Sequence, residues 1–230
     1  MALSTAAVIP ARDEAATLAE TLEALQVVAG LSRIIVVDDG SRDTTAAIAR
    51  RLGAEIIPAS PPGKSGDKGY ALRLGLIHVR EQNPDALLLA DADLGASASR
   101  LVDLLDALDE HHPVAVAAFP PAGASAGFGL VKNITRRAIL RLTGYAPAEP
   151  LSGQRALLVT ALEALHQGIA PGFGAEAGMT LDLLSAGIKP LEIPLPLTHR
   201  PTGRNLSGFA HRARQGLDIA RALRGARIPW

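Results

Sequence analysis

Asp91 and Asp93 stand two residues apart, directly after the apolar run 86–90. In extended chain that spacing puts both carboxylates on one side. Two neighbouring carboxylates repel unless a cation sits between or beside them. Mg2+ or Mn2+ takes such hard oxygen ligands and bridges one or two carboxylates to phosphate oxygens. The chemistry this pair could do is therefore metal-assisted handling of a diphosphate. Three further polar clusters follow apolar or extended runs: Pro10-Ala11-Arg12-Asp13-Glu14, Asp38-Asp39-Gly40-Ser41 and Thr198-His199-Arg200. A carboxylate at Asp38 or Asp39 can accept hydrogen bonds from a base N–H or from ribose hydroxyls. Each cluster taken singly reads as a turn with a helix cap, because Asp, Ser and Gly favour both. What lifts them above that reading is their common place at strand ends.

The elements that must position these residues alternate. Strands are expected over 6–9, 33–37, 54–57, 86–90 and 114–118, and helices over 14–28, 44–52, 68–80 and 99–109. That order predicts an α/β fold with a mainly parallel sheet flanked by helices on both faces. Sheets of this kind bind ligands beyond the carboxyl ends of their strands. The second half is less regular: a Gly- and Ala-rich stretch over 122–129 expected to be mobile, a helix over 130–142 with a basic face, and a Pro- and Gly-containing connection over 145–154. A helix over 175–186 follows, then an extended segment over 190–197 and a last amphipathic helix over 206–223. Pro190, Pro194 and Pro196 make an edge strand the better reading of the extended segment.

Composition excludes several classes. Hydrophobic residues make up 48% of the 230 and supply a core, whereas aromatics are only 3%, too few for the stacking platforms of single-stranded nucleic-acid binders. Lys plus Arg equals Asp plus Glu, 23 each, so overall charge selects no partner. The absence of cysteine excludes disulfides and thiolate metal sites. The N-terminal residues lack a basic region followed by a long apolar core, and no apolar run reaches membrane-spanning length. A single-domain, cytoplasmic protein is expected. Locally, residues 199–230 hold seven arginines against one acid, Asp218. Their helix face is read first as solvated, and otherwise as a surface for peripheral contact with anionic lipid. Gly63-Lys64-Ser65 ends like a P-loop, but Pro58 stands where the first glycine is required. The stretch 60–69 reads better as a loop over a diphosphate.

Val8-Ile9-Pro10-Ala-Arg-Asp-Glu14, Val37-Asp-Asp-Gly-Ser-Arg-Asp43, Lys68-Gly69 and Asp91-Ala92-Asp93 occur in this order at suitable intervals. Together they resemble the nucleotide-binding half of family 2 glycosyltransferases of the GT-A fold, over about residues 1–120. The resemblance implies donor contacts from Pro10, Ala11, Arg12, Glu14, Asp38, Asp39, Lys68, Asp91, Ala92 and Arg200. It implies metal binding by Asp93. Gly172-Phe-Gly-Ala-Glu176-Ala-Gly178 resembles a stretch of glucosyl-3-phosphoglycerate synthases, in which a downstream histidine completes the metal site; His199 occupies that place. Residues 121–230 would then form the acceptor half, with Gly153, Gln154 and Arg155 near the acceptor. Glu176 and Asp93 are the candidate catalytic residues. Glu176 either deprotonates the acceptor, giving inversion, or only positions sugar or acceptor.

The expected reaction is transfer from a nucleotide sugar, UDP-linked before GDP-linked, to a hydroxyl or phosphate on a phosphorylated small molecule or lipid phosphate. Mg2+ or Mn2+ is the expected cofactor, no nucleic acid is expected, and a homodimer is compatible with the sequence. The competing readings are a nucleotidyltransferase and a non-catalytic nucleotide-sugar binder. Against the former, a Gly-rich loop carrying Arg and Lys is absent after the first strand, where Ala11-Arg12-Asp13-Glu14 stands instead.

Overall fold

A computed structural model describes residues 3–61, 63, 67–119, 128–198 and 216–230, with backbone alone for 128–130. Its centre is a run of strands with strict two-residue alternation. In β1 (Thr5–Ala11), Ala7, Ile9 and Ala11 enter one core cluster while Ala6 and Val8 enter another. In β2 (Leu31–Asp38), Val36 faces the first cluster and Ile35 and Val37 the second. β4 (Ala86–Leu89) divides likewise, Leu88 against Leu87 and Leu89. A strand apolar on both faces must be covered on both, which is why helices pack on each side.

With β3 (Glu55–Pro58), β5 (Val114–Ala118), β6 (Arg155–Leu158) and β7 (Leu191–Pro194), the sheet has seven strands in the order β3-β2-β1-β4-β6-β5-β7. β6 runs antiparallel to β4 and β5; the other neighbouring pairs are parallel. β7 lies at the sheet edge beside β5, where its prolines are tolerated.

On the first face, α1 (Leu18–Gln26) buries Leu18, Leu22 and Leu25, the i, i+4, i+7 stripe of an amphipathic helix. α2 (Thr45–Arg51) lies on the same side through Ala49. On the second face, α3 (Lys68–Gln82) buries the expected stripe of Leu72, Leu76 and Val79. Its N-cap is Asp67, whose Oδ1 accepts from the Tyr70 N–H at 3.0 Å, and it ends at Asn83 with φ 52°. Gly75 lets α3 lie directly on the sheet, since a Cβ there would collide with Val8 of β1 and Val37 of β2. α6 (Ala175–Ser185) joins that face through Ala175, Met179 and Leu183.

Several elements differ from the sequence expectation. The helix expected over 99–109 is a 3-10 segment, Gly95–Leu101, leading into a short α4 (Val102–Asp106). The first helix starts at Leu18 rather than at 14; residues 15–17 form a turn, with the Leu18 N–H donating to the Glu14 carbonyl at 2.9 Å. β6 was not expected, and a 3-10 segment, Val159–Leu165, follows it. Of the stretch expected to be mobile, 122–127 lies outside the described residues and 128–129 begins α5 (Phe128–Thr143). The last helix is described only over 216–223, here α7. Among the described residues no helix is long and apolar enough to cross a membrane.

Candidate active site

The carboxyl ends of β1 and β2 carry two of the polar clusters, and their loops are stitched together. Asp39 N–H donates to the Ala11 carbonyl at 2.9 Å, Asp13 N–H to Ser41 Oγ at 3.0 Å, and Arg42 N–H to Asp13 Oδ1 at 2.7 Å. Asp43 accepts from Ala15 N–H at 3.0 Å. Asp13 sits at φ 54°, a left-handed conformation that Asp tolerates better than most residues. These bonds make Pro10, Ala11, Arg12, Glu14, Asp38 and Asp39 one rim rather than two separate loops.

β4 delivers the third cluster beside this rim. Asp91 Oδ1 meets the Lys68 ammonium at 2.9 Å, and Lys68 also meets Glu176 Oε1 at 2.6 Å. The ammonium thus joins α3, the end of β4 and the first turn of α6. Pro10, Gly153 and Met179 complete the narrow cleft around the three side chains. The Glu176 side chain is only 7% exposed, against 28% for Lys68 and 26% for Asp91. Burial alone would lower the Lys68 pKa, but the Asp91 and Glu176 carboxylates outweigh it and hold it well above the ordinary lysine value. Asp67 anchors this junction from outside the cleft. Besides capping α3, its Oδ1 accepts from the Gly172 N–H at 2.6 Å, fixing the start of α3 to the turn before α6. Asp67 was absent from the sequence-derived set; its place immediately before a helix start was the signal available.

Gly153, Gln154 and Arg155 do not stand as an open acceptor-binding loop. Gln154 is fully buried and its Nε2 donates to Asp91 Oδ2 at 2.6 Å. Gly153 faces the same carboxylate, and a Cβ there would lie 2.8 Å from both Asp91 oxygens. Arg155 is also fully buried. Its Nε donates to the Ser152 carbonyl at 2.8 Å, and its Nη2 to the Glu176 carbonyl at 3.0 Å and Thr180 Oγ1 at 2.9 Å. Burial pushes the Arg155 pKa down to about 10, with Glu176 and Glu192 opposing the shift, so the group stays cationic at neutral pH. Gln154 and Arg155, expected near the acceptor, thus have buried side chains hydrogen-bonded to Asp91 and to the Glu176 carbonyl.

Asp38 and Asp39 divide their work. Asp38 Oδ1 accepts from the Ser41 N–H at 3.0 Å and closes the turn. Asp39 is 7% exposed and accepts from Ser60 Oγ at 3.0 Å. Burial raises the Asp39 pKa; the Ser60 hydrogen bond and Arg12 counteract it only in part. Between the unfolded and the raised folded value the native state binds more protons, so stability falls as pH rises through that window. Ionised Asp39 therefore costs stability at neutral pH. Asp39→Asn, which keeps an acceptor for Ser60, is expected to raise the thermal midpoint. A gain on the order of 0.5 kcal/mol moves the midpoint of a chain this size by about 1–2 °C. A lower midpoint in calorimetry would contradict the assignment of strain to this carboxylate.

Asp93 follows buried Ala92 and is half-buried at the end of β4. His199 and Arg200, the other expected metal and donor contacts, lie outside the described residues, as does Lys64. Among the described residues no group of three or more His, Asp and Glu gathers around one point. Both Asp91 oxygens accept from Lys68 and Gln154, and Asp93 adds a second, half-buried carboxylate two residues on. This donor set fits Mg2+ or Mn2+ with ligand phosphate oxygens completing the coordination.

The sequence and the fold have counterparts among known proteins. The chain is 30% identical over 199 residues to glycosyltransferase AglJ of Haloferax volcanii, an alignment covering 84% of this chain and 63% of that protein. It thus spans less than two thirds of that relative. Crystal structures of glucosyl-3-phosphoglycerate synthase from Mycobacterium tuberculosis share the fold at 24% identity. The complex with Mg2+ and UDP superposes with a TM-score of 0.75, and the complex with Mn2+, UDP-glucose and phosphoglyceric acid with 0.72; each alignment covers 98% of this chain and 81% of that one. The sheet is therefore that of a GT-A fold. The model for "Glycosyl transferase family 2" matches residues 6–155, from β1 to the start of β6, and the chain belongs to that family.

Proposed function

We propose that this chain transfers a sugar from a nucleotide-sugar donor, UDP-linked before GDP-linked, to a hydroxyl or phosphate acceptor, with Mg2+ or Mn2+ as cofactor. The observation that carries the reading is the Lys68 ammonium held between Asp91 and Glu176 in the cleft at the carboxyl ends of β1 and β4. The family membership and the synthases crystallised with UDP and a divalent cation support it.

In this reading the rim of Pro10, Ala11, Arg12, Glu14, Asp38 and Asp39 binds the nucleoside. Asp93 and His199 would hold the cation, which would neutralise the diphosphate and so make it a better leaving group. Lys68 and Arg200 place positive charge where negative charge develops on that leaving group. Asp91, fixed by Gln154 and Lys68, orients the ribose or the sugar. Glu176 accepts from Lys68 and borders the cleft, a placement that suits holding a sugar or acceptor hydroxyl. Residues 1–120 supply the donor side and 121–230 the acceptor side.

The test is calorimetric titration with UDP, GDP, UDP-glucose and GDP-mannose, each in Mn2+ and in EDTA. One nucleotide should bind in a metal-dependent manner. Asp93→Ala should lower that affinity about a hundredfold, at the upper end of losses at metal-site residues, with the thermal midpoint unchanged. Metal-independent binding of equal strength in the wild type would remove Asp93 from the site. Binding without sugar transfer to any acceptor would favour a nucleotide-sugar binder.

A further inference from the structure

α5 carries Lys132, Arg136, Arg137 and Arg141 and no acidic residue, in a chain whose charges balance as a whole. Its inner side is set by Thr135 and Ile139, both buried, and by Lys132, whose ammonium meets Glu149 at 2.8 Å. The opposite side is exposed and mixes two chemistries. Arg136, Arg137 and Arg141 stand there, and among the described residues none of them forms an ion pair. Ile134 and Leu140 flank them at 57% and 44% exposure, and Leu142 reaches 58% at the helix end. Large aliphatic side chains left in water beside guanidinium groups form a surface that is both apolar and cationic.

We propose that the outer face of α5 docks on a bilayer bearing anionic headgroups. Guanidinium groups find phosphate partners there, and the flanking aliphatic chains enter the headgroup boundary. A second copy of this chain is the poorer occupant, because a two-fold contact would set arginines against arginines. Among its described side chains the face has no aromatic ring on which nucleic-acid bases could stack. The exposed edge of α7 shows a weaker form of the pattern, with Leu217 60% exposed, but Arg221 there is paired with Asp218 at 3.6 Å.

The placement also bears on the acceptor. α5 packs against α6, whose first turn carries Glu176. The Lys132–Glu149 pair ties it to the segment that runs on to Gly153 in the cleft. Resting on the transferase reading, the acceptor is then a phosphate-bearing lipid drawn from that surface.

The test is co-sedimentation of the full chain with vesicles of phosphatidylcholine alone and of equimolar phosphatidylcholine and phosphatidylglycerol. Binding should require the anionic lipid and weaken as salt screens it. R136Q/R137Q/R141Q should lower the partition coefficient about a hundredfold, at about fivefold per arginine. It should keep the wild-type circular dichroism, thermal midpoint and Mn2+-dependent nucleotide binding. Equal binding to neutral vesicles, or an unchanged partition in the triple variant, would overturn the proposal. So would loss in R221Q/R224Q alone, which would move the contact to α7. A triple variant that shifts free protein from dimer to monomer with no lipid effect would make the face a subunit interface. The nucleotide titration is read separately, so failure of docking and failure of the transferase reading give different results.

Discussion

Lys68→Met should lower sugar transfer about a thousandfold, the upper range for removing one group that stabilises charge in a transition state. It should do so at saturating donor, because the loss falls on turnover as well as on binding. The physical basis is the three-way contact of Lys68 with Asp91 and Glu176. Without the ammonium, two acidic side chains face one cleft with no cation of the protein between them. The Glu176 side chain, at 7% exposure, is too buried for water to replace the partner. Stability should fall too, by about 2–3 kcal/mol, below the range for breaking a fully buried pair because Lys68 is partly exposed. The pH dependence follows from the direction of the Lys68 shift. Its folded pKa lies above the unfolded one, so its contribution is complete below about 10.4 and is lost only as pH rises through the folded value. Wild type and Lys68→Met should therefore differ by a constant amount across neutral pH and converge only in strong alkali. A difference that vanished near pH 7 would mean that the ion pair is not what Lys68 contributes.

Arg155→Met should lower the unfolding free energy by about 3 kcal/mol and the thermal midpoint by about 6–12 °C. The substitution leaves the carbonyls of Ser152 and Glu176 and the Thr180 hydroxyl without the guanidinium that serves them. A buried group left unsatisfied costs about 1–3 kcal/mol; the Thr180 hydroxyl and the Glu176 carbonyl keep their bond to each other at 2.9 Å, so the Ser152 carbonyl bears most of the loss. Part of that is offset, because a buried cation without a contacting carboxylate is itself unfavourable and its Nη1 has no partner among the described residues. Activity of the folded fraction should fall about tenfold as well, since Arg155 links the segment that holds Asp91 through Gln154 to the first turn of α6. Circular dichroism melting and turnover at low temperature separate the two effects. A variant as stable as the wild type would show that the apolar replacement compensates for the lost hydrogen bonds.

The order of strands and helices through β5 was legible because it rests on local signals. The two-sided apolar runs of β1, β2 and β4 and the Leu72, Leu76, Val79 stripe of α3 are periodicities that no distant contact has to supply. The edge position of β7 was legible too, since its prolines cannot serve an interior ladder on both sides. β6 was not. Its four residues, Arg155–Leu158, open with a charge and follow a Pro- and Gly-containing stretch, so nothing local marks them as a strand. What makes them one is hydrogen bonding on both sides, to β4 and to β5, from residues far away in the chain.

The same division runs through the site. Sequence alone determined which residue types gather at strand ends: Asp91 and Asp93 after β4, Asp38 and Asp39 after β2, and Lys68 and Glu176 at the starts of helices. It did so because Asp-rich turns and helix caps are written in a few adjacent residues. Only the tertiary structure decided the pairings, with Lys68 against Asp91 and Glu176, Gln154 against Asp91, and Arg155 against the Glu176 carbonyl. The reason is range: a cap is settled within one helical turn, whereas the direction of a buried arginine depends on which carbonyls the closing sheet brings within hydrogen-bonding distance.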